Sequence, residues 1–264
     1  INTRANRFFY LYEVPRNEWD SVNIQNFSGS DYPDNCQVVR SEIGTWKGRG
    51  CTPPVEDTFW MIEEEYLRTV IQSPRQSMSI RFDVDNLDTL VLSVYKDWPE
   101  LEGTYVRDYI EYAKSSKEVT RKSNGDTVEV LKVNERPELS KRKQSVNDGS
   151  NAVWWYEILD KNYSRLLLPK SCGYSFRVML SSELVPVDNN LYCFVFDEDP
   201  SEKELIGMTL YMNSTIVALL RELYGRSNLG QGGLKTEGVD WSRMPVPEPE
   251  TLEQIAESYG DTSD

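Results

Sequence analysis

Histidine is absent from the 264 residues of this chain, and cysteine occurs only four times. Without histidine there can be no Ser-His-Asp triad, no Cys-His dyad, and no histidine general base or metal ligand. The cysteines are far apart and form no Cys-x-x-Cys pair, so we interpret them as reduced core residues rather than a zinc site; they are Cys36, Cys51, Cys172 and Cys193. These absences predict a chain that is not catalytic by itself.

Other functional signatures are missing as well. No apolar run approaches the roughly 18 residues that a membrane span needs, and no signal peptide opens the chain, so we expect a cytoplasmic protein without membrane contact. There is no phosphate-binding loop of the Gly-x4-Gly-Lys-Ser/Thr type. Asp83, Asp85 and Asp88 do not complete a calcium-loop pattern, so we expect no metal. The first residue is not methionine, which suggests a piece of a longer polypeptide.

The charge is large and unevenly placed. A net charge of −14 argues against a nucleic-acid partner, since such proteins usually neutralise phosphates with Lys and Arg. Asp197–Glu204 and Glu248–Asp264 together carry −10 of that charge, whereas residues 161–182 contain four basic residues and no acid. A second basic cluster comprises Lys132, Arg136, Lys141, Arg142 and Lys143. Either a basic face lies on an acidic body, or these charges solvate loops.

Composition and patterning predict an α+β fold in two lobes. The chain is 39% hydrophobic and 11% aromatic, which is typical of a globular protein. Short strand-like and helix-like segments follow one another without regular βαβ alternation. Strands are expected at Phe8–Val14, Thr89–Tyr95, Arg165–Pro169, Tyr174–Leu180 and Leu191–Phe196, and helices at Glu64–Ile71 and Thr104–Ser115.

Four segments are predicted along the chain. Residues 1–115 would form the first lobe and residues 154–249 the second lobe, which ends in a helix and a glycine loop. Residues 116–153 are polar and are expected to be a mobile connector, because they contain almost no aromatic side chains. Residues 250–264 are predicted to be an acidic tail.

The segment from Met212 to Pro249 has the most specific pattern. Asn213 or Ser214 offers a helix N-cap, and Gly225 ends the helix. Apolar residues recur at helical spacing and are expected to face the core, with Arg221 and Glu222 in solvent; they are Ile216, Val217, Leu219, Leu220, Leu223 and Tyr224. A glycine-rich loop, an extended run at Leu234–Thr236, a Trp241 anchor and a Pro245-Val246-Pro247 stop follow.

This order of helix, glycine loop, short strand and Pro-x-Pro exit resembles the end of the C-terminal target-recognition (specificity) region of adenine-specific DNA methyltransferases from prokaryotic restriction-modification systems. Further segments resemble the same family over most of residues 1–249. They are Ile1–Leu11, Tyr66–Ile71, Arg136-Pro137 with Lys141–Lys143 and Trp154–Leu159, and Arg165–Lys170.

The resemblance implies a division of labour with a catalytic domain upstream in the same polypeptide. That domain would bind S-adenosylmethionine and the flipped adenine. This chain lacks the Asn/Asp-Pro-Pro-Tyr/Phe motif, since Thr52-Pro53-Pro54-Val55 has only the two prolines, and it lacks the glycine-rich turn that holds the methyl donor. No cofactor is therefore expected here, and the implied partner is double-stranded DNA, read at base edges and held at phosphates.

We predict DNA contacts from basic residues, from aromatic residues and from the glycine loop. For the aromatic residues the alternative to stacking on bases is that they fill a core. The predicted contact residues are Arg136, Lys141, Arg142, Lys143, Trp154, Trp155, Tyr156, Arg165, Lys170, Arg177, Arg226, Asn228 and Lys235. Three other functions stay open. They are an acidic mimic of DNA that binds a DNA-processing enzyme, a carbohydrate-binding module suggested by seven Trp and fifteen Tyr, and an RNA-directed relative.

Overall fold

The computed structural model describes eleven stretches of the chain. They are residues 6–43, 57–77, 79–115, 117–121, 128–135, 139–146, 152–158, 163–172, 176–188, 190–226 and 234–260.

These stretches contain thirteen strands, six α-helices and six short 3-10 helices. The strands are β1 (Tyr10–Glu13), β2 (Cys36–Ser41), β3 (Thr58–Glu63), β4 (Leu67–Thr69), β5 (Arg81–Phe82), β6 (Thr89–Leu92), β7 (Lys117–Arg121), β8 (Val128–Lys132), β9 (Tyr163–Pro169), β10 (Ser171–Cys172), β11 (Met179–Pro186), β12 (Leu191–Phe194) and β13 (Leu234–Lys235). The α-helices are α1 (Asn6–Phe9), α2 (Tyr105–Ser115), α3 (Glu202–Met212), α4 (Thr215–Tyr224), α5 (Gly238–Trp241) and α6 (Pro249–Ser258). The 3-10 helices are Arg16–Ser21, Glu64–Tyr66, Pro74–Gln76, Val84–Asn86, Trp98–Leu101 and Val133–Glu135.

The chain divides into two compact units, and the fold class is α+β, as predicted. The first unit comprises Ile1–Thr69 and Asp88–Asp160, and the second comprises Val70–Leu87 and Lys161–Asp264. The chain thus enters the second unit briefly at residues 70–87, where it supplies β5. The boundary after residue 115 expected from composition is not the one in the structure.

The first unit is built on an antiparallel sheet in the order β3-β2-β1-β6-β4. Helix α2 packs against β3 and turns Val106, Tyr109 and Ile110 inward. The buried Tyr109 hydroxyl donates to the carbonyl of Phe8 and lies 3.0 Å from the Ser41 hydroxyl, so its polar atom is satisfied inside the core. Burial raises the pKa of this phenol.

The second unit contains a four-stranded sheet in the order β12-β9-β11-β5, with β11 and β5 parallel, and a separate β10-β13 ladder. Helices α3 and α6 pack closely together. Gly207 permits this, because a Cβ there would lie 2.0 Å from the carbonyl oxygen of Leu252. Leu252 and Ala256 of α6 are buried, so the predicted acidic tail begins with a docked helix.

Helix α4 begins at the Ser214 N-cap and ends at Gly225, and Val217 is buried, as predicted, but most of the predicted apolar face is exposed. Ile216, Leu219 and Leu223 are more than 60% exposed, whereas Arg221 is 2% exposed. Val217 and Arg221 are one helical turn apart and share the buried face. The prediction that Arg221 lies in solvent is therefore wrong.

Several other local predictions are corrected. The helix expected at Glu64–Ile71 is a 3-10 turn followed by β4, because residues 67–69 pair with β6. Of the aromatic strand expected at Phe8–Val14, the first two residues belong instead to the short helix α1, and strand β1 covers Tyr10–Glu13. The strand expected at Tyr174–Leu180 instead starts at Met179 in the part that the structure describes. In its described residues, the segment 116–153 contains the β7-β8 hairpin and the buried Val133 and Leu139 rather than only polar connector.

No helix within the described stretches is long and apolar enough to cross a bilayer.

Candidate nucleic-acid interface

A short β-ladder in the second unit brings together three of the basic residues that are predicted to contact DNA. β13 pairs on one side with β10, where Ser171 is opposite Lys235. On the other side Arg226 forms an antiparallel bridge to Lys235, with reciprocal backbone hydrogen bonds of 2.8 and 3.0 Å. The Thr236 amide also donates to the Lys170 carbonyl. Arg226 and Lys235, which flank residues 227–233 and Leu234 in the sequence, are thus paired through the main chain.

Side chains connect the same residues. The Lys170 ammonium lies 4.6 Å from the ring centre of Tyr192, whose hydroxyl donates to Glu237 at 2.8 Å. Glu237 forms an ion pair with Lys235, and this hydrogen-bonded partner holds the pKa of Glu237 below its ordinary value. Arg226 is exposed. We call Lys170, Arg226 and Lys235 the ladder cluster; Glu237 is the carboxylate that pairs with its Lys235.

Arg221 is buried in the second unit and contacts the residue that follows strand β13 of this ladder. Its Nε donates to the hydroxyl of buried Thr236 at 3.2 Å, and its guanidinium lies 3.4 Å from the ring centre of Phe176 and 5.8 Å from that of Trp241. A desolvated cation over aromatic faces is a favourable arrangement. The buried Arg221 therefore fixes α4 against the residue that follows β13.

In the first unit, the basic triplet and the tryptophan segment meet through the main chain. The Lys143 amide donates to the carbonyl of Val153, and the Trp155 amide donates to the carbonyl of Lys143. Lys141 is exposed. Arg142 donates to the carbonyl of Glu157, and partial burial lowers the pKa of its guanidinium. Lys143 lies 4.5 Å from the ring centre of Trp154. Arg142 is thus held by a main-chain carbonyl, whereas among the described residues no carbonyl oxygen accepts from the ammonium of Lys141 or Lys143.

Trp154, Trp155 and Tyr156 fill the core of the first unit. Their exposed fractions are 5%, 2% and 0%. Trp154 donates its indole N–H to Asp97, and Tyr156 donates its hydroxyl to the Lys96 carbonyl at 3.0 Å. Burial raises the pKa of Tyr156. The structure therefore supports the core alternative for these rings, and stacking on DNA bases is not supported by their burial.

Two of the predicted DNA-binding arginines are engaged inside the second unit. Arg165 forms a two-point ion pair with Glu202, at 2.7 and 3.2 Å, and its Nε donates to the Ser181 carbonyl. Arg177 donates to the carbonyls of Pro74 and Ser77. These contacts assign both arginines a structural role. Arg136 and Asn228, also predicted at the interface, lie outside the described residues.

Some important residues were not identified by sequence reasoning. The sequence pattern predicts Arg221 on the solvent-exposed face, because six apolar residues of the helix recur at helical spacing on the other face. Its one signal was the four-residue spacing from Val217, which puts both on one stripe. Phe176 and Trp241 contact Arg221 from distant parts of the chain, so no local pattern indicated the pair.

The acidic loop before α3 is solvent-exposed. Asp197, Glu198 and Asp199 are exposed, and within the described part of the chain no basic side chain lies within ion-pair distance of them. Ser201 caps α3, accepting from the Glu204 amide at 3.1 Å. Three adjacent carboxylates thus remain on the surface.

Compared with models of protein families and with curated proteins, the chain matches none.

Proposed function

We propose that this chain is a sequence-specific DNA recognition domain that acts with an adenine-specific, S-adenosylmethionine-dependent methyltransferase domain of the same polypeptide, in the cytoplasm. The methyl donor and the target adenine would bind to the catalytic domain. This chain would hold the phosphates and read the bases beside the target.

The observation that carries this proposal is the ladder cluster. Main-chain hydrogen bonds fix Arg226 beside Lys235, and the Thr236 amide joins Lys170 to the same ladder. Phosphate contacts need cations at set positions, and main-chain pairing provides such positions. Lys141 and Lys143 provide a second set of cations in the first unit.

The salt dependence of duplex binding tests the proposal. Each lost phosphate contact lowers the slope of log affinity against log salt by about 0.9, so Lys170→Ala with Arg226→Ala should lower it by roughly two units. Arg243→Ala is the matched control, because Arg243 is an exposed cation of the same unit outside the cluster. Fluorescence anisotropy of a labelled duplex gives the slopes. An unchanged slope in the double variant, or no duplex binding at low salt, contradicts the proposal.

A second candidate is an acidic mimic of DNA that binds a basic partner protein, and the exposed Asp197, Glu198 and Asp199 favour it. Replacing all three by their amides distinguishes the functions. A DNA-binding domain should gain duplex affinity at low salt, because repulsion of phosphates decreases. A mimic should show no duplex binding before or after the change.

A further inference from the structure

A pocket of about 300 Å³ in the second unit is lined by β9, β11, α3 and the chain that follows β12; we call it the β12 pocket. The buried Leu166 and Leu205 line it. Three large apolar side chains of the lining are exposed, with exposed fractions of 46% for Tyr163, 66% for Leu184 and 72% for Val195. Exposed apolar side chains that are grouped at a pocket, rather than scattered singly, are typical of a binding surface.

Two polar side chains of the lining already have partners within the protein. The Ser164 hydroxyl donates to the Phe194 carbonyl at 2.6 Å and accepts from the Leu166 amide at 3.0 Å. Arg165 is held by its two-point ion pair with Glu202. Because a buried polar group without a partner is costly, the part of a ligand that enters beside these side chains should be apolar.

The acidic residues of the β12 pocket favour a basic ligand. Glu198 and Asp199 line the pocket, and Asp197 precedes them in the chain. All three are exposed, and in the described part of the chain no basic side chain lies within ion-pair distance of any of them. A ligand that covers these carboxylates should therefore carry positive charge next to its apolar part. A second copy of this chain, which has a net charge of −14, would instead bring like charges together.

The main chain at this pocket favours a peptide over a small organic cation. Strand β12 is at the edge of the four-stranded sheet, and Val195 and Phe196 continue the chain past its last paired residue, Phe194. Within the described residues, the main-chain groups of Val195 and Phe196 form no hydrogen bond with another main-chain group. Unpaired main chain at a sheet edge can pair with an added peptide, and pockets for side chains of that peptide then give specificity.

We propose that the β12 pocket binds an extended peptide segment of a partner protein. A bulky apolar side chain of the peptide lies on Leu166 and Leu205, and flanking Lys or Arg side chains pair with Glu198 and Asp199. The proposal does not rest on DNA recognition, because neither the ladder cluster nor the basic triplet lines this pocket.

Fluorescence anisotropy of labelled peptides with the full chain tests the β12 pocket. The probe is the peptide Gly-Lys-Lys-Leu-Lys-Lys-Gly, and two control peptides replace either its Leu by Ala or its four Lys by Glu. At 0.15 M salt, where the Debye length is about 8 Å, only close charges should contribute. The probe should bind saturably and at least about ten-fold more tightly than either control, because only the probe uses both the apolar lining and the carboxylates.

Exposed apolar residues of the pocket give the first variant. Leu184→Ser with Val195→Ser should weaken binding of the probe by about ten-fold or more and keep the thermal midpoint, because both side chains are exposed and outside the core. Ile216→Ser with Leu223→Ser is the matched control, since it changes two similarly exposed apolar side chains of α4 outside the pocket. This control should leave binding unchanged.

The carboxylates give the second variant. Glu198→Gln with Asp199→Asn should weaken binding of the probe by about five-fold or more, because it removes the charges that face the flanking lysines. Glu248→Gln with Glu250→Gln is the matched control, since it neutralises two exposed acids of the same unit outside the pocket. It should leave binding of the probe unchanged at this salt concentration.

Three results would overturn the proposal. The first is no saturable binding of the probe at millimolar concentration. The second is equal binding of the Leu and Ala peptides, which would mean that charge alone attracts them, as in a mimic of DNA. The third is a chain that sediments as a dimer but becomes a monomer with Leu184→Ser and Val195→Ser, because a second copy would then cover the pocket. Failure of the proposed function appears separately, as absence of duplex binding by the parent chain, and Leu184→Ser with Val195→Ser should not alter duplex affinity.

Discussion

The guanidinium of Arg221 lies 3.4 Å from the ring centre of Phe176, at a position that is 2% exposed. Arg221→Ala removes this contact and the hydrogen bond to Thr236. We expect it to lower the free energy of unfolding by about 3 kcal/mol, as is usual when a buried polar network loses a member. Denaturant unfolding followed by circular dichroism measures the change.

Glu222→Ala is the matched control on the same helix. Glu222 is exposed, so its removal should change the free energy of unfolding by no more than about 0.5 kcal/mol. Arg221→Lys should fall between the two, since lysine keeps the charge but lacks the planar group and the Nε donor. Equal stability of Arg221→Ala and Glu222→Ala would contradict the assigned role of Arg221.

Gly207 and Gly238 offer a second matched pair. A Cβ at Gly207 would lie 2.0 Å from the Leu252 carbonyl oxygen, whereas a Cβ at Gly238 would meet nothing within 4 Å. Gly207→Ala should therefore force α3 and α6 apart and cost about 3 kcal/mol of unfolding free energy. Gly238→Ala should be neutral or slightly stabilising. Thermal unfolding of the two variants tests this; a Gly207→Ala midpoint equal to that of the parent would show that α3 and α6 are not in close contact.

The local signals in the sequence predicted α4 well, but the long-range contacts decided which face it buries. The Ser214 hydroxyl accepts from the Val217 amide at the start of the helix, the Gly225 amide donates to the Arg221 carbonyl at its end, and both residues can be read from the sequence. The burial of Arg221 depends on Phe176 and Trp241, and no local pattern indicates them. The helix expected at Glu64–Ile71 fails for the same reason, because pairing with β6 makes residues 67–69 a strand.

The candidate site could be predicted only in part, for a related reason. The sequence identifies which residues are basic, but only the structure shows which basic side chains are already engaged by carboxylates or carbonyls of the protein. Arg165 meets Glu202 and Arg177 meets the Pro74 and Ser77 carbonyls, all distant in sequence. Lys141 and Arg226 stay exposed.

Adjacent members of the basic triplet should therefore behave differently. Lys141→Ala should lower the salt slope of duplex binding by about 0.9 with little change in stability, because Lys141 is exposed. Arg142→Ala should instead lower the free energy of unfolding by about 1–2 kcal/mol, since it removes the hydrogen bond to the Glu157 carbonyl. Salt titrations and denaturant unfolding of both variants check this. If Arg142→Ala instead lowers the salt slope and Lys141→Ala lowers the free energy of unfolding, then Arg142 and not Lys141 contacts phosphate.

The ion pair of Glu202 should make stability depend on pH. The hydrogen bond from Arg165 holds the pKa of Glu202 below its ordinary value of 4.5. A depressed carboxyl pKa stabilises the folded state above the unfolded value, and this contribution is lost as the pH falls through the folded value. Because Glu202 is 47% exposed, the gain should not exceed about 1 kcal/mol.

Glu202→Gln should accordingly have a lower thermal midpoint than the parent chain at pH 7, and the difference should vanish as the pH falls below 4.5. Glu198→Gln is the control, since Glu198 is exposed and no basic residue in the described part of the chain pairs with it. A difference that is constant from pH 7 to acid conditions would contradict the assignment to the Glu202 carboxylate.

The acids near the C-terminus have to be tested by neutralisation rather than by truncation. Removing the chain after Pro247 deletes α6, whose Leu252 packs in a cluster with Met208 and Val217. This truncation should lower the free energy of unfolding by about 3 kcal/mol or more.

Glu248→Gln with Glu250→Gln removes two exposed charges and should keep the fold. If the domain binds DNA, this double variant should bind a duplex modestly more tightly at 0.01 M salt, where the Debye length is about 30 Å. Near 0.15 M salt, where that length is about 8 Å, most of the gain should disappear. Anisotropy titrations at the two salt concentrations measure both values, and a gain that is the same at both would mean that the two carboxylates lie in contact with the DNA rather than at a distance from it.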